Sequence, residues 1–294
     1  MKARKRTSLK TALRAWKRSP LSLLLRVLVW LAAVLTIGTI VFLIGYILVK
    51  GVPHIKPSLF AWEYNSENVS LMPALVNTVI MTALSLLIAV PLGLFSAIFL
   101  SEYARRGNRL VKAVRLAAET LAGIPSIVYG LFGMLFFVTA LHWEYSLLSG
   151  ACTISLMILP LIMRTAEEAM LSVPDTYREG SFGLGAGRLR TVFRIVLPAA
   201  MPGILAGVIL AVGRIVGESA ALIYTAGTVA EIPSGKDFLF DSTRTLSVHM
   251  YALSNEGLYI NETYATAVVL LVIVIGINCL SAALAKRIGR RSAK

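Results

Sequence analysis

The chain has 294 residues, of which 57% are hydrophobic and only 15% are charged, and its mean hydropathy is +0.76. Soluble domains carry roughly 25% charged residues, so this composition excludes an ordinary soluble protein and indicates an integral membrane protein. The formal net charge of +14 could indicate nucleic-acid binding, but the basic residues lie in clusters between apolar segments, as membrane topology requires.

Six segments are apolar for long enough to cross a bilayer, which takes about 20 residues. The first is longer than the apolar core of a signal peptide (about 7–15 residues), and no cleavage site follows it, so we expect a retained helix. The sequence therefore predicts an all-α polytopic membrane protein with these approximate spans: Val27–Val49, Leu71–Leu100, Thr120–Leu141, Tyr145–Met163, Ala199–Tyr224 and Thr263–Ala285.

The basic residues indicate the orientation of these spans. Of the 29 Lys and Arg residues, 24 lie in the two tails and in the loops that follow spans two and four. Cytoplasmic loops carry the excess of Lys and Arg, so both termini should be cytoplasmic. The basic segment Glu102–Glu119 has charges at helical spacing and is either an amphipathic helix at the cytoplasmic surface or a basic linker.

The cytoplasmic loop between spans four and five should contain a short helix. Ser172 and Asp175 have capping-box spacing, and Pro174 is tolerated in a first turn, so the helix is predicted to begin near Val173. Glycine is unfavourable within helices and favourable in turns, so the helix should be ended by three spaced glycines: Gly183, Gly185 and Gly187.

Three functions are compatible with this loop: an ordinary connection, a phosphate cradle or a docking helix. A nucleotide-binding P-loop requires Gly-Lys-Ser or Gly-Lys-Thr, and neither occurs in the chain. The cysteines and histidines lack metal-ligand spacing, so no metal site is predicted.

The loop resembles the EAA motif of ABC importer permeases, in which Glu-Ala-Ala is followed by glycine and then by Ile-x-Leu-Pro. The spacing matches throughout, and two small residues replace the alanines: the matching residues are Glu179, Gly180, Ser181, Gly185, Ile195, Leu197 and Pro198. The resemblance implies a coupling helix at about residues 173–187, which docks on a separate ATP-hydrolysing subunit. It also implies the type I importer permease fold, with a core of five spans over residues 67–286.

Two ionisable residues, Arg214 and Glu218, lie within the fifth predicted span. Such residues are costly in a membrane and are functional candidates. Because they are four residues apart, they would share one face of a helix. They could form a structural pair, or Arg214 could face an anion, since a guanidinium suits phosphate and carboxylate. The same span has two small-xxx-small pairs that allow close helix approach: Gly203/Gly207 and Gly213/Gly217.

Three stretches resemble phosphate-specific ABC permeases of the PstA type: LAGIPSIVYGLFG (121–133), MRTAEEAM (163–170) and GRIVGESAAL (213–222). The resemblance implies that Arg164 and Arg214 take part in phosphate passage, although Arg164 could instead be a snorkelling charge at the end of span four. We hypothesise that Glu218 pairs with Arg214 when no solute is present. It would also accept a hydrogen bond from protonated phosphate, which sulfate lacks at neutral pH.

The sequence is thus interpreted as the permease subunit of an ATP-driven phosphate importer in the bacterial plasma membrane. Alternatives are a permease for another oxyanion, such as molybdate or sulfate, and a membrane-embedded transferase, for which no acid–base or nucleophile constellation is present. The predicted organisation is a basic cytoplasmic tail (1–26), a first transmembrane helix (27–49) and the permease core (67–286).

The resemblance also implies the partners of the chain. These are a homologous second permease, two copies of an ATP-binding subunit and an external phosphate-binding protein. ATP would be used by the partner subunit, and this chain would bind no cofactor of its own. The polar connection between spans five and six, Glu231–Glu262, could cap the outer mouth or contact an external partner.

Overall fold

A computed structural model describes residues 20–104 and 107–292, and within these ranges the chain is helical and has no β-strand. It divides into two compact units: the first ends at Lys50 and the second begins at Gly51. The first unit contains nearly all of helix α1 (Pro20–Gly51), whose apolar side chains are exposed over most of its length, as suits a helix surrounded by lipid. Most of the predicted basic tail, residues 1–26, lies outside the described residues.

Among the described residues, five helices are long and apolar enough to cross a membrane, and a sharply bent pair of helices makes a sixth crossing when the pair is counted as one span. The prediction of an all-helical membrane protein is therefore confirmed, and its six crossings correspond to these five helices and the bent pair. In chain order after α1, the helices are α2 (Met72–Ile98, continued by a π-helical turn to Tyr103), α3 (Arg109–Ala122), α4 (Ser126–Gly133, continued by a π-helix to Ala140), α5 (Leu147–Leu171), α6 (Asp175–Gly183), α7 (Arg188–Val216), α8 (Ala220–Ile223), α9 (Leu246–Glu256) and α10 (Ile260–Ser292).

The third crossing is shorter than predicted, because the chain bends by 102° between α3 and α4. Helix α3 is amphipathic, so its basic face keeps it at the membrane surface. Pro125 precedes the first residue of α4, and the Tyr129 hydroxyl donates to the Leu121 carbonyl oxygen across the bend at 2.8 Å. The interpretation as an amphipathic helix is confirmed from Arg109 onwards, whereas Glu102 belongs to the end of α2 and Arg105 and Arg106 lie outside the described residues.

Helix α7, which contains the fifth crossing, begins and ends earlier in the chain than the predicted span. It begins at Arg188 instead of Ala199, because the glycine-rich turn ends at Gly187. It ends at Val216 instead of Tyr224, with Gly217 as the C-terminal cap. Glu218 and Ser219 therefore form a break before the short helix α8.

Helix α5 is the centre of the second unit and packs against α2, α4 and α7. Gly203 of α7 faces Ala169, and Gly207 faces Thr165 so closely that any side chain at either glycine would overlap its neighbour. The small-xxx-small prediction is therefore confirmed for Gly203/Gly207.

The second glycine pair, Gly213/Gly217, does not mediate close helix packing. The nearest atom of another helix to Gly213 is Asn278 Oδ1, 3.9 Å from a Cβ built on the glycine. A Cβ built on Gly217 would meet the Gly213 carbonyl oxygen of the same helix, at 3.6 Å. Among the described residues, no helix approaches this pair as closely as α5 approaches Gly203 and Gly207, because α7 reaches its end there; the prediction is not confirmed for Gly213/Gly217.

The connection between α8 and α10 folds back onto the helices. Its helix α9 packs against α2 and α10, and the first four residues of α9, Leu246 to His249, are buried. The hydroxyl of Thr78 in α2 accepts a hydrogen bond from the Leu246 amide at 2.8 Å. This connection therefore forms a packed cap at the end of the bundle that the charge pattern assigns to the outside.

Candidate functional site

The loop between α5 and α7 contains the predicted short helix, α6. It begins at Asp175 and ends at Gly183, and Gly185 adopts a left-handed conformation with φ of +80°. This conformation is easy only for glycine, so the prediction that glycines end the helix is confirmed. The capping-box prediction is wrong, because Pro174 occupies the N-cap position and the Ser172 hydroxyl instead donates to the Ala169 carbonyl oxygen at 2.7 Å.

The residues that match the EAA pattern divide into an exposed group and a packed group. Glu179 and Gly180 are exposed on α6. Ser181 is buried, and its hydroxyl lies 2.8 Å from the hydroxyl of Thr191, which joins α6 to the start of α7. On α7, Ile195 and Leu197 are half-buried and Pro198 is exposed.

A groove of about 490 Å³ separates α6 from the first turns of α7, and Ile195 and Pro198 contribute to its wall. Beside it, large apolar side chains are exposed outside the membrane-spanning part of the bundle, most clearly Leu184, which is 91% exposed. Tyr177, Phe182 and Leu189 are also exposed. Apolar side chains gathered in this way in water indicate a surface that another protein covers.

A buried ion pair that the sequence analysis did not identify anchors α6. Arg178 Nη2 lies 2.6 Å from Glu102 Oε1 at the end of α2, and the two side chains are only 14% and 7% exposed. The pKa of Arg178 is raised, mainly by the hydrogen bond to Glu102. Arg178 also donates to the carbonyl oxygens of Val173 at 2.8 Å and Met170 at 3.0 Å, so α6 is tied to both α2 and α5.

Arg214 lies in the last turn of α7 and is half-buried. None of the ion pairs among the described residues includes it. It is close enough to Tyr129 of α4 to act on the phenol electrostatically. A cation inside a membrane crossing that pairs with no acid among the described residues is suited to contact a mobile anion.

Glu218 does not share a helical face with Arg214, so that prediction is wrong. Helix α7 ends at Val216, so Glu218 lies in the break between α7 and α8. Its Oε1 accepts a hydrogen bond from the Ala221 amide at 3.1 Å and thereby caps α8. The carboxylate is buried, and the two charged groups do not form an ion pair in this structure.

Arg164 occupies a different environment, at the cytoplasmic end of α5. Its side chain is 59% exposed and pairs with Glu168 at 3.1 Å and with Glu119 at 3.9 Å. Because the next residue, Thr165, faces Gly207, Arg164 lies about two helical turns, or roughly 10 Å, from Arg214 along α7.

Two of the three stretches that resemble phosphate-specific permeases pack against each other around the break after α7. A side chain at Gly130 of α4 would overlap the backbone of Ala221 in α8. Gly133, one turn further along α4, similarly faces Thr153 and Thr225. These contacts hold α4 against α8 and so place Tyr129 and Arg214 in one region.

Comparison with known proteins agrees with this architecture. Residues 89–294 match the family described as binding-protein-dependent transport system inner membrane component. A probable ABC transporter permease protein of Bacillus subtilis, YqgI, is 32% identical over 78% of this chain and 81% of its own length. The phosphate transport system permease protein PstA 1 of Mycobacterium tuberculosis is 34% identical over 74% of this chain and 71% of its own length.

Solved structures of similar fold come from ABC transporters. A chain of a bacterial alginate ABC transporter, solved in complex with an alginate-bound periplasmic protein, aligns with a TM-score of 0.63 at 18% identity. The alignment covers 94% of this chain and 97% of that one. A chain of the inward-facing MetNI methionine ABC transporter aligns with a TM-score of 0.58 at 19% identity, over 74% of this chain and 94% of that one.

Proposed function

Since the chain belongs to the family of binding-protein-dependent transport system inner membrane components, and is thus a multi-pass permease subunit of an ABC importer, we propose that its solute is inorganic phosphate. The observation that carries this proposal is the unpaired, half-buried Arg214 inside a crossing. An arginine suits a tetrahedral oxyanion because its planar fork can donate two hydrogen bonds at once.

Relatives support phosphate over other oxyanions. The Mycobacterium tuberculosis protein that is 34% identical is named as a phosphate transport permease, and two of the three stretches that carry the resemblance pack together in the region of Arg214. Other relatives have only the general name of ABC permease. Molybdate or sulfate therefore remains the second candidate.

We infer a positioning role for Glu218 in this function. Its Oε1 caps α8 through the Ala221 amide, so the carboxylate holds the segment that follows Arg214. It also offers acceptor capacity to a protonated phosphate oxygen, whereas sulfate at neutral pH has no proton to donate. Arg164, which is exposed and paired with two acids, is proposed as a cytoplasmic exit contact only.

Energy for transport would enter through α6. We propose that the exposed apolar side chains beside the groove dock on an ATP-binding subunit, which hydrolyses ATP, so that this chain needs no cofactor. The ion pair between Arg178 and Glu102 would transmit the movement of α6 to α2 as rigid-body motion. A second, homologous permease and an external phosphate-binding protein would complete the importer.

The test is uptake of labelled phosphate by the assembled transporter in vesicles, with sulfate and molybdate as competitors. Arg214→Ala should lower phosphate uptake roughly 10–100-fold, because charge-assisted hydrogen bonds contribute about 1.5–3 kcal/mol. Arg109→Ala, which removes an exposed arginine of α3, is the matched control and should transport normally. Normal uptake by Arg214→Ala, or stronger competition by sulfate than by unlabelled phosphate, would contradict the proposal.

A further inference from the structure

A second arginine, Arg244, is more deeply buried than Arg214 and lies under the outer surface. It directly precedes the N-cap of α9 and is only 5% exposed. Its Nε and Nη2 atoms are buried and have no hydrogen-bond partner, and no acid among the described residues pairs with it. Burying a guanidinium costs several kcal/mol unless its donors are satisfied, so this arrangement is unfavourable as a purely structural feature.

The surroundings hold Arg244 in place and cover it. Its amide donates to the Val229 carbonyl oxygen at 3.0 Å, and its own carbonyl oxygen accepts from Asn77 Nδ2 at 3.4 Å. The ring of Tyr64 lies over the guanidinium, with 4.6 Å between Cζ and the ring centroid. The same ring packs edge-on against the buried His249, with centroids 6.0 Å apart.

The two unpaired donors have the geometry of an oxyanion site. Nε and Nη2 form the side edge of the guanidinium, which can donate to two oxygens of one anion in parallel. The positive end of the α9 dipole lies next to Arg244 and adds to the attraction for an anion. Helix α9 has 11 residues, and its N-cap residue, Thr245, makes no side-chain capping bond.

Acceptors are also present for a protonated anion. Asn77 Oδ1 is buried without a partner, and the imidazole of His249 is fully buried. Burial and the charge of Arg244 lower the pKa of His249 to about 3, so the imidazole is neutral at physiological pH and keeps one acceptor nitrogen.

We propose that Arg244 binds a tetrahedral oxyanion in an outer site, covered by Tyr64, which takes up the ion before it reaches Arg214. The identity of the ion as phosphate rests on the proposed function. A small ion fits better than a carboxylate of a partner protein, because both donor atoms are sealed from the surface and the side chain of a macromolecule could reach them only if the cap opened.

Hydrogen bonds connect this outer site to the break after α7. The hydroxyls of Thr245 and Ser247 lie 3.2 Å apart, and Ser247 Oγ donates to the carbonyl oxygen of Glu218. These hydroxyls therefore connect the outer site to Glu218, which lies two residues after the end of α7. This places the outer site in series with Arg214.

The experiment is hydrogen exchange of the assembled transporter in nanodiscs, without ATP or binding protein, with and without inorganic phosphate. Phosphate at about 100 times its dissociation constant should slow local opening of the Tyr64 segment and the first turn of α9 by up to ~100-fold. Arg244→Gln should abolish this protection. The variant without phosphate should be no less protected than the wild type, because an unpaired buried charge has been removed.

Two controls separate the outcomes. Lys236→Gln removes an exposed charge from the same outer connection and should keep full protection by phosphate. If Arg244→Gln exchanges faster even without phosphate, Arg244 has a structural role and the proposal is wrong. In a parallel measurement with the external binding protein added, protection that appears only with that protein would also overturn the proposal, because the ligand would then be a partner's carboxylate.

The same measurements show whether the outer site or the proposed function has failed. If no oxyanion protects the outer site while phosphate uptake remains dependent on Arg214, the outer site is refuted and the function stands. If sulfate protects through Arg244 and phosphate does not, the site stands and phosphate as the solute is refuted.

Discussion

Breaking the ion pair between Arg178 and Glu102 should uncouple ATP hydrolysis from transport. Removing one member of a buried pair costs about 3–5 kcal/mol, because the remaining charge is left buried and unpaired. In Glu102→Gln, Arg178 would retain the carbonyl oxygens of Met170 and Val173, so we expect the lower limit, about 3 kcal/mol. In Arg178→Met, the Glu102 carboxylate would lose its ion-pair partner, and we expect the loss of stability to approach the upper limit, about 5 kcal/mol.

Local opening of α6, followed by hydrogen exchange of its amides in the assembled transporter, measures this cost directly. A loss of about 3 kcal/mol corresponds to exchange that is roughly 100-fold faster. Phosphate transported per ATP hydrolysed should fall in the same variants, because a loosened α6 moves without displacing α2. The double variant with Glu102→Leu and Arg178→Met should be more stable than Arg178→Met alone, since it leaves no buried charge.

The matched control is Asp175→Asn, which removes the other acidic partner of Arg178. Asp175 is 74% exposed, and exposed pairs contribute about 0.2–1 kcal/mol, so exchange and coupling should change little. The reasoning would be refuted if Glu102→Gln and Asp175→Asn gave equal exchange rates at α6. It would also be refuted if transport per ATP were unaffected in Arg178→Met.

Two further predictions concern packing and pH. Gly207→Val should destabilise the protein by about 1–3 kcal/mol, because the side chain would overlap Thr165. Gly180→Ala has open space around it and replaces a glycine within α6, so it should not lower the melting temperature; equal melting temperatures of the two variants would contradict the packing of α7 on α5. The pKa of His249 is lowered to about 3, so the folded protein binds fewer protons than the unfolded chain, and stability should fall by up to ~1.4 kcal/mol per unit as pH decreases from about 6.5 towards 3. Thermal unfolding at pH 7.5 and pH 5 should show this loss in the wild type but not in His249→Phe, and an identical loss in both would exclude His249 as its source.

Much of the architecture could be predicted from local sequence. The glycines after α6 ended that helix where expected, because the preference of glycine for turns does not depend on distant residues. The match to the EAA spacing correctly located a short helix between two crossings. Hydropathy alone, however, could not distinguish a straight third crossing from one that bends before Pro125, because the residues on both sides of the bend are apolar.

The pairing of charges could not be predicted. Arg214 and Glu218 lie four residues apart, but α7 ends at Val216 between them, so Arg214 belongs to α7 whereas Glu218 caps α8. Arg178 and Glu102 are 76 residues apart, and no local pattern connects them.

The sequence by itself determined that this protein spans a membrane and where its apolar segments lie, and it predicts which side its loops face. These properties follow from composition and from the position of charges along the chain, because transfer into lipid acts on each segment separately. Only the tertiary structure decided which charged groups are paired, which are buried without a partner and where the helices break. Those properties depend on contacts between residues far apart in the chain, as in the burial of Arg244 beneath Tyr64.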